Sequence, residues 1–168
     1  AYAERNIANM YYDGQGVKQD FSKAAGWYRR AAEHGDADAG NRLGSMYRDG
    51  TGVHQDYAGA LEWYSRSAGE GNDLAQMNLG LMYEEGKAVK QDYAEALNWY
   101  RKSADQGYGL AMCKIGHFYE QGLGVRQDYA EALKWYKKSA EKGCMLAQTA
   151  IGLMYMEGRG VRQDLKEA

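Results

Sequence analysis

Cys113, His117 and Glu120 form a C-x3-H-x2-E pattern, which on a helix brings a sulfur, an imidazole and a carboxylate to one side. That is a donor set for zinc. Cys144 is the only other cysteine, and no second cluster of ligands accompanies it, so neither a metal nor a cofactor is expected. Ser139-Ala140-Glu141-Lys142 matches S-x-x-K, the serine–lysine pattern of β-lactam-reactive enzymes. Its serine, however, falls in register with Ala31, Ser67 and Ser103, small residues of a repeated helix, and the accompanying motifs are missing. The match reads as coincidence. Gly80, Gly86 and Lys87 imitate a phosphate loop, but five residues separate the glycines and Ala88 stands where Ser or Thr is needed. Lys134, Lys137, Lys138 and Lys142 make the solvated face of one helix, and His34 and His54 lie in polar turns. No catalytic residue emerges, and the chain is not expected to be an enzyme.

What would position such residues is a set of short helices. The 168 residues include 22 glycines and no proline, a composition that suits helices separated by tight glycine turns. A net charge of −2 offers no basic field for nucleic acid. No apolar run approaches the roughly 20 residues of a membrane span, so no membrane insertion is expected. The first residues show no secretory leader pattern.

An internal period organises the chain. Trp27, Trp63, Trp99 and Trp135 are each 36 residues apart, and Gln19-Asp20, Gln55-Asp56, Gln91-Asp92, Gln127-Asp128 and Gln163-Asp164 keep the same spacing. Units without insertions stack on one another in the same way. The repeats are set at 1–35, 36–71, 72–107, 108–143 and a truncated 144–168.

In the second unit, helix A is expected from about Asp38 to Asp49, stopped by Gly50, with Gly14, Gly86, Gly122 and Gly158 in register. Asp56 is expected to cap helix B, from about Tyr57 to Glu70, with Gly71 ending it. Asp92 with Glu95, and Asp128 with Glu131, have capping-box spacing. Tyr57, Ala60, Leu61, Tyr64 and Ala68 make one buried stripe of helix B, widened by Trp63; Ala39, Leu43, Met46 and Tyr47 make that of helix A. Gly44, Gly80, Gly116 and Gly152 sit mid-helix, where close approach of another helix backbone is expected to offset a cost of about 1 kcal/mol. Ala8 takes this position in the first unit. Ala88 replaces the loop glycine found at Gly16, Gly52, Gly124 and Gly160, which predicts an altered loop.

The recurring pattern A-x-x-x-L-G-x-M-Y-x-x-G-x-G-V-x-Q-D-Y-x-x-A-L-x-W-Y-x-x-S-A-x-x-G resembles the Sel-one-like repeat, a relative of the tetratricopeptide repeat. Leu79-Gly80, Tyr83, Gly86, Asp92, Ala96, Trp99-Tyr100, Ala104 and Gly107 carry it, and the resemblance covers the whole chain. It implies an all-α, right-handed α-solenoid with helix A on the concave surface and helix B on the convex one. It also implies a non-catalytic adaptor or scaffold for a protein or peptide partner. Bacterial members are often exported or envelope-associated, and the regular unit looks bacterial. Some cysteine-rich secreted relatives bind penicillins, so β-lactam or peptidoglycan recognition is the competing function. Their implied disulfide positions hold Ala32, Ala68, Ala104 and Ala140 against Gly40, Gln76, Met112 and Gln148 here.

Positions that differ between units are where specificity is expected. One column is Arg5, Asn41, Met77, Cys113 and Thr149; another is Asn9, Ser45, Leu81, His117 and Leu153; a third is Tyr12, Arg48, Glu84, Glu120 and Met156. Offsets of four and seven put each trio on one face of its helix A. These fifteen residues are expected to line the partner-binding groove, with Met77, Leu81, Leu153 and Met156 as exposed apolar members. Ala1 starts inside helix A of one unit and Lys166-Glu167-Ala168 stops within the first turn of helix B of another, so flanking repeats or a neighbouring molecule are expected to cover the ends.

Overall fold

Helix punctuation follows the glycines and aspartates. The computed structural model describes residues 1–160; Gln163-Asp164 and the expected start of a fifth helix B lie outside the described residues. The described residues contain α1 (Tyr2–Asp13), α2 (Phe21–Glu33), α3 (Ala37–Asp49), α4 (Tyr57–Gly69), α5 (Asp73–Glu85), α6 (Tyr93–Asp105), α7 (Gly109–Gln121), α8 (Tyr129–Glu141) and α9 (Met145–Glu157). Odd-numbered helices are helix A of each repeat and even-numbered ones helix B. Each helix A stops at a glycine whose φ lies between +67° and +72°. There the missing Cβ removes the steric cost of a left-handed residue.

Each helix B starts at an aspartate that accepts a first-turn amide: Asp20 from Lys23, Asp56 from Ala58, Asp92 from Glu95 and Asp128 from Glu131. The reciprocal half of the capping box does not form at Asp128. Its own amide donates to the Tyr119 carbonyl, and Glu131 turns instead to Lys134. The preceding glutamine has a role too. Gln19, Gln55 and Gln127 donate from Nε2 to the carbonyls of Tyr12, Arg48 and Glu120, each at 2.8 Å. The Gln-Asp pair therefore fastens the end of helix A with one residue and opens helix B with the next.

The chain divides into two compact units, 1–90 and 91–168. In the first, α1 packs on α2, α2 on α3, α3 on α4 and α4 on α5; in the second, α6 packs on α7, α7 on α8 and α8 on α9. Such stacking of helix on successive helix is the packing of an α-solenoid. The fully buried side chains include Tyr28, Tyr64, Leu43 and Leu79 in the first unit and Tyr100, Tyr136 and Ile115 in the second. Tyr57, Leu61, Trp63 and Tyr47, expected in the buried stripes, are half-buried.

Two expectations need correction. The close approach at Gly44 and Gly116 is to a ring, not to a helix backbone. A Cβ on Gly44 would lie 2.7 Å from Cδ1 of Tyr64, and one on Gly116 2.7 Å from Cδ1 of Tyr136. Ala88 does not open a different turn either. It holds φ at +58°, the left-handed region used by its glycine counterparts, and Lys87 still donates its amide to the Met82 carbonyl as in the other loops.

Candidate protein-binding face

The helix A faces carry the recesses. In the first unit, Tyr2, Arg5, Asn6 and Asn9 of α1 meet Asp38, Asn41 and Arg42 of α3 and Leu74 of α5 around a cavity of about 250 Å³. Residues 2, 5, 6 and 9 have the i, i+3, i+4, i+7 spacing of one helical stripe. A larger cavity, about 480 Å³, opens between Arg48 and Asp49 of α3 and Asn78, Leu81, Met82 and Glu85 of α5, closed at one end by Gln55, Tyr57 and Lys87. In the second unit, Leu110, Cys113, Lys114 and His117 of α7 line about 210 Å³ with Tyr136, Leu146 and Ala150.

Hydrogen bonds give the first-unit face its order. Asn78 donates to Oδ1 of Asn41 at 2.8 Å, which ties α5 to α3 between the two cavities. Arg48 makes two bonds to Asp49, the chief reason its guanidinium is held further toward the charged form. Arg5 reaches Asp36 and Asp38 across the α1–α3 junction. The core tyrosines also contribute. Tyr28 donates to Asn9 at 2.6 Å, Tyr64 to Ser45 at 3.0 Å and Tyr136 to Glu120 at 2.7 Å. Burial pushes the Tyr28 phenol up to about 12 and raises that of Tyr64. These hydroxyls remain protonated donors at neutral pH, satisfied by whatever acceptor the changing position offers.

Of the fifteen expected residues, Met77 is buried and Glu120 is held by Tyr136, and the other thirteen divide three ways. Arg5, Asn9, Asn41, Arg48, Leu81, Cys113 and His117 line the cavities just described. Tyr12 stacks edge-on against Phe21 and Tyr28 and belongs to the core margin, with Ser45 beside it around a small cleft. Glu84 is half-buried, and Thr149, Leu153 and Met156 of α9 are exposed.

The expectation of a uniformly outward first column fails. Met77 is 3% exposed, Asn41 7% and Cys113 9%. This column changes between repeats although it is buried, because each member meets a different neighbour: Asn41 meets Asn78, and Cys113 meets Cys144. The column beside it, Asn6, Arg42, Asn78, Lys114 and Ala150, lines the cavities and was missed. It too varies, with four residue types over five units, so the same criterion finds it.

Two chemical patterns resolve into structure. Ser139 is fully buried and donates to the Gly109 carbonyl at 2.7 Å, as Ser67 does to Ala37 at 2.6 Å. It is a strut between helices, with no path to a substrate. Glu120 is taken by Tyr136 and by Arg159, and no group of three metal-ligating side chains converges among the described residues.

The Sel1 repeat family model matches residues 1–36, 37–72, 73–108, 109–144 and 146–168. Among solved structures, the chain is similar to c5321, a protective antigen of uropathogenic Escherichia coli strains displaying an SLR fold. Identity is 39% and the TM-score 0.94, over 99% of this chain and 36% of that one. A Sel1 repeat protein from Oxalobacter formigenes matches at 37% identity and TM-score 0.94, over 99% of this chain and 68% of that one. Helicobacter pylori cysteine rich protein B matches at 25% identity and TM-score 0.63, over 82% and 98%. The chain thus spans about a third of the length of c5321. No curated protein matches it.

Proposed function

Because the chain belongs to the Sel1 repeat family, whose fold is typical of protein–protein interaction scaffolds, we propose that it holds a partner peptide on the helix A face and performs no chemistry there. The observation that carries this reading is the cavity of about 480 Å³ between α3 and α5. It is bounded by Arg48, Asn78 and Leu81, which differ from repeat to repeat, while the constant residues are consumed by caps and core. A recess of this size seats one or two anchoring side chains. Leu81 supplies an apolar floor, and Arg48 and Asn78 supply polar groups for a peptide backbone or a carboxylate. No helix among the described residues is long and apolar enough to cross a membrane.

Met77 is buried, so a charge there would unfold the repeat rather than probe the face. The test therefore uses Leu81→Glu and Arg48→Glu, with Glu62→Lys on exposed α4 as the control. Peptides selected from a random displayed library on the immobilised wild-type chain are then titrated against each variant. Leu81→Glu is expected to weaken binding at least tenfold, about 1.4 kcal/mol, with the control unchanged. Selected peptides that bind both face variants like wild type, at full helicity, would remove the function from this face.

A further inference from the structure

Two thiols of the second unit stand together although 31 positions separate them. Cys113 lies within α7 and Cys144 is the N-cap of α9; both are free. They share one cluster with Leu133, Tyr136 and Ala147, their thiols are in hydrogen-bond contact, and both meet the hydroxyl of Ser139 on α8. We propose that Cys113 and Cys144 are a redox-modification site, closing into a reversible intramolecular disulfide that joins helix A of the fourth repeat to helix A of the fifth. Both side chains pack in the one cluster, and a covalent S–S bond of about 2.05 Å between them would join the two helices.

Their surroundings divide the labour. The corresponding N-caps of α3 and α5 are Asp36 and Asn72, each accepting a first-turn amide; the N-cap of α9 is Cys144, which makes no side-chain cap hydrogen bond. Burial by itself would raise the Cys144 thiol. The amides of Ala147 and Leu146, the Ser139 hydroxyl and Cys113 together outweigh it and bring the thiol below its ordinary value. Cys144 is also the more accessible of the two. Burial, and then the neighbouring Cys144, push Cys113 up to about 12. A thiolate at a helix N-terminus is the better nucleophile, so Cys144 attacks and Cys113 resolves.

With a small disulfide such as oxidised glutathione as oxidant, the balance is complete. The Cys144 thiolate attacks one glutathione sulfur, forming a mixed disulfide and expelling glutathione thiolate, which takes up a proton. That neutralises the charge beside Cys113. Cys113 then loses its proton and attacks Sγ of Cys144, and the second glutathione leaves as thiolate and is protonated in turn. The protein gives up two hydrogens and two electrons, and the glutathione disulfide is reduced to two thiols.

The reduced full chain is incubated over a series of reduced-to-oxidised glutathione ratios, quenched with an alkylating agent, and analysed by intact mass and non-reducing peptide mapping. The expected product is a monomer lighter by two hydrogens, with the peptides of Cys113 and Cys144 linked and both thiols recovered on reduction. Cys113→Ser is expected to stop at the glutathione adduct of Cys144, and Cys144→Ser to react at least about tenfold more slowly. Wild-type protein that keeps both thiols alkylatable throughout, stops at a stable glutathione adduct, or oxidises only to intermolecular dimers would overturn the proposal.

Discussion

Replacing Gly52 with alanine tests whether the loop glycine is a stacking residue between repeats. Gly52 has a φ of +72°, and a Cβ built on it falls 2.4 Å from both C and O of Phe21, the first residue of α2 one repeat earlier. The equivalent Cβ on Gly124 would lie 2.7 Å from the Ala94 amide nitrogen, and on Gly160 2.6 Å from Cβ of Tyr129. Two costs combine. Left-handed backbone costs a residue with a side chain about 1 kcal/mol. The clash at Gly52 is with backbone, which has no rotamer to change, and overpacking of this kind costs about 1–3 kcal/mol. Ala88 sets the floor, because it holds φ at +58° in the same register and shows that one loop seats a methyl without abandoning the left-handed turn. Gly52→Ala is therefore expected to lose about 2–4 kcal/mol, and Ala88→Gly to gain about 1 kcal/mol. Urea unfolding followed by far-UV circular dichroism measures both, with an unchanged denaturant slope as the check that only stability moved. A loss below about 0.5 kcal/mol at Gly52, within the range of an ordinary surface substitution, would refute the stacking argument. So would destabilisation by Ala88→Gly.

Three further outcomes follow from individual contacts. His34 Nδ1 lies 2.7 Å from Oε2 of Glu4, and this hydrogen bond, ahead of the opposing effect of burial, lowers the Glu4 carboxyl below its usual value. A depressed carboxyl contributes stability above its unfolded-state pKa and loses it as pH falls through the folded-state one. An NMR titration should therefore show the Glu4 midpoint rising in His34→Gln; an unmoved midpoint would take the pair out of the account. Ser67→Ala removes a buried bond to the Ala37 carbonyl and is expected to cost about 1 kcal/mol in urea unfolding, which Ala31 in the same register of repeat one shows to be survivable. Asp128→Ala, which strips the cap from α8, is expected to cost about 1 kcal/mol by the same measurement, while Lys134→Ala on the exposed face should cost less than half of that.

The period made the fold legible because each constant residue does a local task. A glycine stopping helix A and an aspartate starting helix B act within a few residues of themselves, so spacing alone exposes them. Gln55 was as constant as Asp56, but its partner is a main-chain carbonyl seven residues back, and a carbonyl leaves no mark on sequence. The glycine at 44 was likewise visible as an anomaly without its cause, since the Tyr64 ring that needs the space arrives from the next helix.

The candidate face is harder to read for a different reason. Variation between repeats does not by itself mark a surface, as Met77, 3% exposed, shows. In an array of similar units, a position between adjacent helices A is freed to change whenever its neighbour changes with it. Asn41 is matched by Asn78, and Cys113 by Cys144, so neither column needs to stay constant for the repeats to stack. Two kinds of position therefore vary, those that meet solvent and those that meet a partner within the chain. The observed cavity stripe of Tyr2, Arg5, Asn6 and Asn9 keeps Arg5 and Asn9 of the expected one and is rotated from it by about 40° of arc. Asn78 lines the face, whereas Met77 is buried. A substitution series meant to locate the partner should accordingly walk along residues 42, 78 and 81 and leave 41, 77 and 113 untouched, since only the first set can lose binding without first losing the fold.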